Sequence, residues 1–185
     1  MKKSTYYVFI MILLSCSLAS TTALTSLVPS ICKHISQADP TNVDYGSCMS
    51  ALGSDPRSPI STAPQLARIS FELSISKAKA ITSEIDKLLK LSTFDPPATN
   101  VLKDCSVAYS RVPGVLEAGL EAIIGGQFDT ASTRVSAAMN AAATTCGKWI
   151  KDMRGNIAPL QKEINVFNQL GAISLGFTKL LRIIN

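Results

Sequence analysis

From position 61 onward the apolar residues of this chain recur every three or four positions, the period of an α-helix whose one face is buried. The first run is Phe71, Ile75, Ala78, Ile81, Ile85 and Leu88. Ser61 and Thr62 stand before it as candidate caps, with Pro64 in the first turn, where a proline fits because its missing N–H has no helical partner there. The run stops at Phe94-Asp95-Pro96-Pro97, since proline cannot continue a helix. The second run is Leu102, Cys105, Tyr109, Val112, Leu116 and Ile123, with Pro113 inside it as an expected kink and Gly125-Gly126 at its end. The third is Ala131, Val135, Ala138, Ala142, Cys146, Trp149 and Met153, ending near Gly155. The fourth is Leu160, Ile164, Phe167, Leu170, Ile173, Phe177, Leu180 and Ile184. No stretch alternates with period two for long enough to propose a strand. Four amphipathic helices of similar length, joined by short connectors, predict an all-α, up-down-up-down four-helix bundle over 61–185.

Ahead of the bundle the pattern changes. Residues 53–64 carry three prolines among small polar residues and read as a connector. Before it, 24–60 predicts a small helical hairpin, with helical pieces around 30–37 and 44–52 and a turn at Asp39-Pro40. The first 23 residues differ again. Lys2 and Lys3 precede a 13-residue, mostly apolar stretch at 6–18, and Thr21 and Ala23 fit a small-x-small cleavage site. That is the plan of a secretory signal peptide, too short to span a bilayer comfortably. The expected mature protein is 24–185, enough for one domain that buries roughly 70% of its unfolded surface. The C-terminal run is no lipid-anchor signal, because Lys179 and Arg182 interrupt it; no membrane anchor is expected.

Secretion changes the reading of the cysteines. Cys16 leaves with the signal, and Cys32, Cys48, Cys105 and Cys146 remain. An even number in an oxidising compartment predicts two disulfides. Residues equidistant from the turn of an antiparallel helix pair lie level, and the midpoint of positions 105 and 146 falls between Gly125 and Gly126. The glycine turn was placed by local chemistry alone, so the two cysteines come out level across the second and third helices, within disulfide reach. Cys105–Cys146 and Cys32–Cys48 are therefore the expected bridges; either other connectivity would tie the hairpin to the bundle and waste this register.

The net charge of +5 includes Lys2 and Lys3, leaving the mature chain mildly basic. Such a chain suits acidic partners such as a polyanionic wall matrix, but no basic cluster with interleaved aromatics argues for nucleic acid. No active site is legible. His34 is the sole imidazole, so no nucleophile has an organised base. No metal-binding or phosphate-loop motif is present, and no cofactor is expected. Glu84 with Asp86, and Glu117 with Glu121, read as solvated helix faces. Asp104 beside Cys105 reads as a surface residue or a local hydrogen-bond acceptor, and Trp149 as core. The chain is not expected to be an enzyme.

Several short stretches together resemble one family. They are Ile31-Cys32, Tyr45-Gly46-Ser47-Cys48 leading to Leu52-Gly53-Ser54-Asp55-Pro56-Arg57-Ser58, and Leu102-Lys103-Asp104-Cys105 with Tyr109 four residues on. Val135-Ser136-Ala137-Ala138, Thr144-Thr145-Cys146 and Ile173-Ser174-Leu175-Gly176 complete the pattern. The pattern is similar to that of the plant invertase and pectin methylesterase inhibitors. The tail, Ala172-Ile173-Ser174-Leu175 with Thr178-Lys179-Leu180-Leu181, looks most like the family's pollen-allergen branch. The resemblance implies a secreted inhibitor of the apoplast or cell wall. It would block the substrate cleft of a carbohydrate enzyme in a one-to-one complex: pectin methylesterase first, acid invertase (beta-fructofuranosidase) as the alternative. Invertase inhibitors of the family carry a Pro-Lys-Phe-type element at the turn before the third bundle helix. The corresponding stretch here is Gly126-Gln127-Phe128, which keeps the phenylalanine and becomes the candidate target contact. The spacing of Phe128 from Ala131 and Val135 equally suits a core position. Readings of another class are a secreted four-helix signalling protein or a lipid carrier. Four-helix cytokines need long crossover connections, and the connectors here are short.

Overall fold

The computed structural model describes residues 26–91, 94–147 and 158–184. The signal segment with Cys16, and Lys148, Trp149, Met153 and Gly155 of the third apolar run, lie outside the described residues. Six helices and no strand occur among those described. Helix α1 spans Val28–Ala38, α2 Tyr45–Gly53, α3 Ala63–Lys90, α4 Pro96–Ile124, α5 Phe128–Ala142 and α6 Ala158–Ile184. A 3-10 turn, Ser58–Ile60, precedes α3, and a π-helical turn, Ala143–Gly147, continues α5.

Local chemistry sets the starts. Thr62 caps α3: its N–H and its hydroxyl both donate to Gln65 Oε1, at 2.8 and 3.1 Å, satisfying groups that a helix N-terminus would otherwise leave open. Asp95 caps α4 by accepting the Ala98 N–H at 2.8 Å, with Pro96 and Pro97 in the first turn. The same prolines that end the first apolar run thus open the next helix. Helix α4 continues through Pro113 to Ile124.

The long helices close a ring of neighbours: α3 on α4, α4 on α5, α5 on α6 and α6 back on α3. This is the four-helix bundle expected from the short connectors. Its core holds Phe71, Ile81, Ile85, Leu102, Tyr109, Leu116, Val135, Phe167, Ile173 and Phe177, all essentially inaccessible. At the centre, Tyr109 of α4 meets Phe167 of α6 edge-on, ring centroids 5.6 Å apart at 71°, the geometry aromatic quadrupoles favour. Burial drives the Tyr109 phenol pKa upward, and its hydroxyl has no hydrogen-bond partner among the described residues.

The end of the fourth stripe differs from expectation. Leu180 is only partly buried and Ile184 is exposed. The buried face runs instead through Phe177, Thr178 and Leu181, because hydroxylated residues share the seam with α3. Ser70, Ser74 and Ser174 are fully buried there. Ser74 Oγ lies 3.2 Å from Ser174 Oγ, which donates to Ser70 Oγ at 3.1 Å. Ser70, Ser74 and Thr178 also donate to carbonyls three or four residues back. Back-bonding of this kind satisfies a hydroxyl without an external partner, so these side chains can be buried in the seam. The alanines of α5 divide in the same spirit: Ala131, Ala138 and Ala142 are buried against neighbours, whereas Ala137, Ala141 and Ala143 are exposed and contribute helix propensity only.

The α1–α2 hairpin lies against α6 and α3. Cys32 and Cys48 clamp it, Cα atoms 5.6 Å apart. Its closest approach is Ile35 of α1 onto Gly176 of α6: a Cβ at Gly176 would collide with Ile35 Cγ2 and crowd its Cβ. Because the obstructing atoms belong to a stiff β-branched side chain, Gly176→Ala is expected to lift the hairpin off α6. Overpacking of this sort costs about 1–3 kcal/mol, read as a lower melting temperature together with faster amide exchange in α1. A second tether is polar. Arg57, between hairpin and bundle, bonds Asp55 and Glu72, each at 2.7 Å, and Arg68 bonds Glu72 at 2.8 Å. Hydrogen bonds from the Arg57 side chain and backbone hold the Asp55 carboxyl down to about 2, so it stays ionised in mildly acidic surroundings.

Candidate functional site

The turn proposed as target contact joins α4 to α5 at one end of the bundle. Its backbone is fixed by two interlocking hydrogen bonds: Gln127 N–H to Ala122 O at 2.8 Å and Gly126 N–H to Ile123 O at 3.2 Å. This is the Schellman arrangement, and it requires a left-handed residue just past the helix. Gly126 supplies it with φ +72°, a conformation that costs any residue with a Cβ. The next helix starts at once, for Gln127 O already accepts the Ala131 N–H at 2.9 Å. Only three residues, Gly125, Gly126 and Gln127, separate α4 from α5. The turn is a rigid corner, with its ends held by two helices.

Gly125, Gly126 and Gln127 are exposed, while Phe128 is half-buried and packs against the core. Phe128 therefore belongs partly to the core and partly to the surface. Asp129 follows in the first turn of α5, where a carboxylate suits the helix dipole. It accepts a 3.0 Å hydrogen bond from Arg182 Nη1 near the end of α6. That bond places the end of α6 beside the turn. Ile124, Ile183 and Ile184 carry exposed apolar side chains on these helix ends, at 62%, 73% and 57%. Nothing in the sequence pairs Asp129 with Arg182, and the fourth apolar run counts Ile184 as a core position. Helical spacing from Phe177 and Leu180 points Ile184 inward, whereas Ile124 and Ile183 lie beside the apolar runs rather than on them.

The other residues weighed earlier are scattered. His34 is exposed on α1. Glu84 pairs with Lys87, Glu117 pairs with Lys79 across the α3–α4 junction, and Asp86 accepts from the Ser106 hydroxyl. Glu121 and Asp104 are exposed. No two of these carboxylates share a pocket, and no group of three or more histidines, cysteines or carboxylates that could hold a metal occurs among the described residues. Cys105 and Cys146 are bridged and buried, Cα atoms 5.0 Å apart. No described helix is long and apolar enough to cross a membrane. What the geometry offers is a rigid, partly apolar surface for another macromolecule.

Residues 26–176 match the family model described as "Plant invertase/pectin methylesterase inhibitor". A protein of Platanus acerifolia named "Putative invertase inhibitor" is 33% identical over 155 residues, 84% of this chain and 85% of that protein. The "Cell wall / vacuolar inhibitor of fructosidase 2" of Arabidopsis thaliana is 28% identical over 137 residues, 74% of this chain and 72% of that protein. Among solved structures, a mutant form of a pectin methylesterase inhibitor from Arabidopsis superimposes with a TM-score of 0.70 at 19% identity, covering 84% of this chain and 97% of that one. At that identity the likeness shows the shared helical fold. With the family match over most of the chain and a relative at 33% identity, the chain belongs to the plant invertase/pectin methylesterase inhibitor family, a family of enzyme inhibitors rather than enzymes.

Proposed function

We propose that this protein is a secreted inhibitor that fills the substrate cleft of a plant cell-wall carbohydrate enzyme in a one-to-one complex, with acid invertase as the favoured target. The observation that carries the reading is the α4–α5 corner. A Schellman-capped turn exposes Gly126 and Gln127 on a support that loses little conformational freedom on binding. Preorganisation of this kind lowers the entropic cost of association. Phe128 and the flanking isoleucines supply apolar area, and the Asp129–Arg182 pair a polar rim, the usual anatomy of a protein interface. Secretion is supported by the signal-like residues 1–23 and by the two disulfides.

The order of targets differs from the one drawn from the resemblance. The relatives at 28–33% identity are named for invertase or fructosidase. The pectin methylesterase inhibitors enter through structures at 19% identity, a likeness of fold. Pectin methylesterase stays the second reading, supported by the half-burial of Phe128: with part of the ring turned inward, a helix face rather than the corner would carry the contact.

Phe128→Ala separates the two. A half-exposed ring should cost about 1–2 kcal/mol of stability, less than the ~3–5 kcal/mol of a fully buried Phe→Ala change. Interface aromatics are enriched among residues whose loss costs at least ~2 kcal/mol of binding, roughly thirtyfold. Acid invertase inhibition is expected to weaken by that factor while the melting temperature falls by only a few degrees. Unchanged invertase inhibition by a folded variant would move the contact to the bundle face.

A further inference from the structure

A second surface lies well apart from the corner. Between α2 and α6 runs a groove of about 570 Å³. Its α6 wall carries Lys162, Asn165, Val166 and Gln169, its α2 wall Ser47 and Ser50. Positions 162, 165, 166 and 169 recur at helical spacing and form one stripe about 10 Å long.

The stripe is rich in hydrogen-bond donors that the fold does not use. Asn165 Oδ1 accepts from Gln161 Nε2 at 3.0 Å, and Gln169 Oε1 accepts from the Asp44 N–H at 3.1 Å. Both amide oxygens are engaged, and neither NH₂ group donates to a partner among the described residues. Lys162 forms no ion pair among the described residues. The serine hydroxyls of the opposite wall add two groups that donate or accept. One carboxylate, Asp44, also lines the groove; its Oδ1 accepts the Ser47 N–H at 2.7 Å, which lowers its pKa and keeps it ionised, so an acidic ligand must place its carboxylate at the Lys162 end, two helical turns from the Asp44–Gln169 bond. Val166 and Leu170, with Ala51 opposite, form the apolar part. The Asp44–Gln169 bond ties the two walls together, so the groove is fixed before anything enters it.

We propose that this groove binds an acidic saccharide, a short run of uronate residues, as an anchoring site separate from the inhibitory surface. The chemistry selects that class on three counts. A donor-rich stripe with one unpaired ammonium suits a ligand rich in acceptors and carrying carboxylates. Val166, between the donors and 37% exposed, receives the C–H face of a pyranose ring. The mild basic balance of the mature chain favours approach to a polyanion. The site is independent of which enzyme the corner inhibits.

The test is a titration of the isotopically labelled, disulfide-bonded protein with a short oligogalacturonate, beside a neutral oligosaccharide of the same length. Amide shifts confined to residues 44–51 and 161–170, weakened by salt and absent with the neutral sugar, are the expected result. Lys162→Glu should reduce affinity by tenfold or more, the scale of a lost hydrogen bond to a charged group. Asn165→Ala should weaken binding by less, because the bond it loses has a neutral donor. Both positions are exposed on α6, so the fold should persist, checked by unchanged melting. Both variants should inhibit the target enzyme as the unaltered protein does. No binding, shifts spread over every cationic surface, equal binding of the neutral sugar, or affinity unchanged in Lys162→Glu would each overturn the proposal.

Discussion

Phe167→Ala is expected to lower stability by about 3–5 kcal/mol, the range for fully buried phenylalanines. Phe167 has no exposed surface and meets Tyr109 across the bundle between the non-adjacent helices α4 and α6. Truncation would open a cavity where those two helices meet, and neither can close it without pulling away from α3 and α5. For a domain of this size each kcal/mol lowers the midpoint by roughly 2–4 °C, so a fall of about 10 °C or more is expected in thermal denaturation followed by circular dichroism. Val107→Ala on α4, at a position 53% exposed, serves as the control and should change stability by less than about 0.5 kcal/mol. A Phe167→Ala variant that melts with the parent would mean that the core is not centred on this ring pair.

Paired replacement of Cys105 and Cys146 by serine is expected to cost about 4 kcal/mol. The bridge closes a loop with a sequence separation of 41, against 16 for Cys32–Cys48. In the chain-entropy account the longer loop restrains the unfolded chain more, and the shorter bridge comes to about 3 kcal/mol. The α4–α5 bridge should therefore be the more costly to remove, while the variant keeps most of its helicity at room temperature, because native contacts other than the bridge remain. Parallel denaturant titrations of the two paired variants measure the difference. A larger loss from the Cys32/Cys48 pair would show that the hairpin, rather than the helix pair, limits stability.

The bundle was legible because its signals are local and repeated. Every residue of the first stripe, from Phe71 to Leu88, is buried, since a long helix sampled at its own period leaves little room for error. The level cysteines were legible for a related reason: a three-residue corner at 125–127 fixes the antiparallel register, and their Cα atoms come to 5.0 Å. Hydropathy did not reveal the buried serines of the α3–α6 seam. Ser70, Ser74 and Ser174 count as polar in any pattern, yet their hydroxyls are satisfied by backbone carbonyls and by one another. Nor did it place the end of α6, where Leu181 is buried in place of Ile184.

The surface was less legible than the core. The corner drew attention through its glycines and the family resemblance, but its rim depends on Asp129 and Arg182, 53 positions apart in sequence. The α2–α6 groove depends on a backbone N–H at Asp44 meeting a side chain at Gln169. Long-range pairs between exposed residues leave no periodic trace, because solvent tolerates either partner alone. Surface ion pairs contribute little to stability, so such features matter for what they present rather than for what they hold together.

The central claim, inhibition through a preformed protein surface, is tested most directly by titrating acid invertase and, in parallel, pectin methylesterase with the purified protein at mildly acidic pH. The account predicts loss of sucrose hydrolysis that reaches completion at one inhibitor per enzyme, with no turnover of sucrose or pectin by the inhibitor alone. Undiminished activity of both enzymes in the presence of excess folded, disulfide-bonded protein would contradict it.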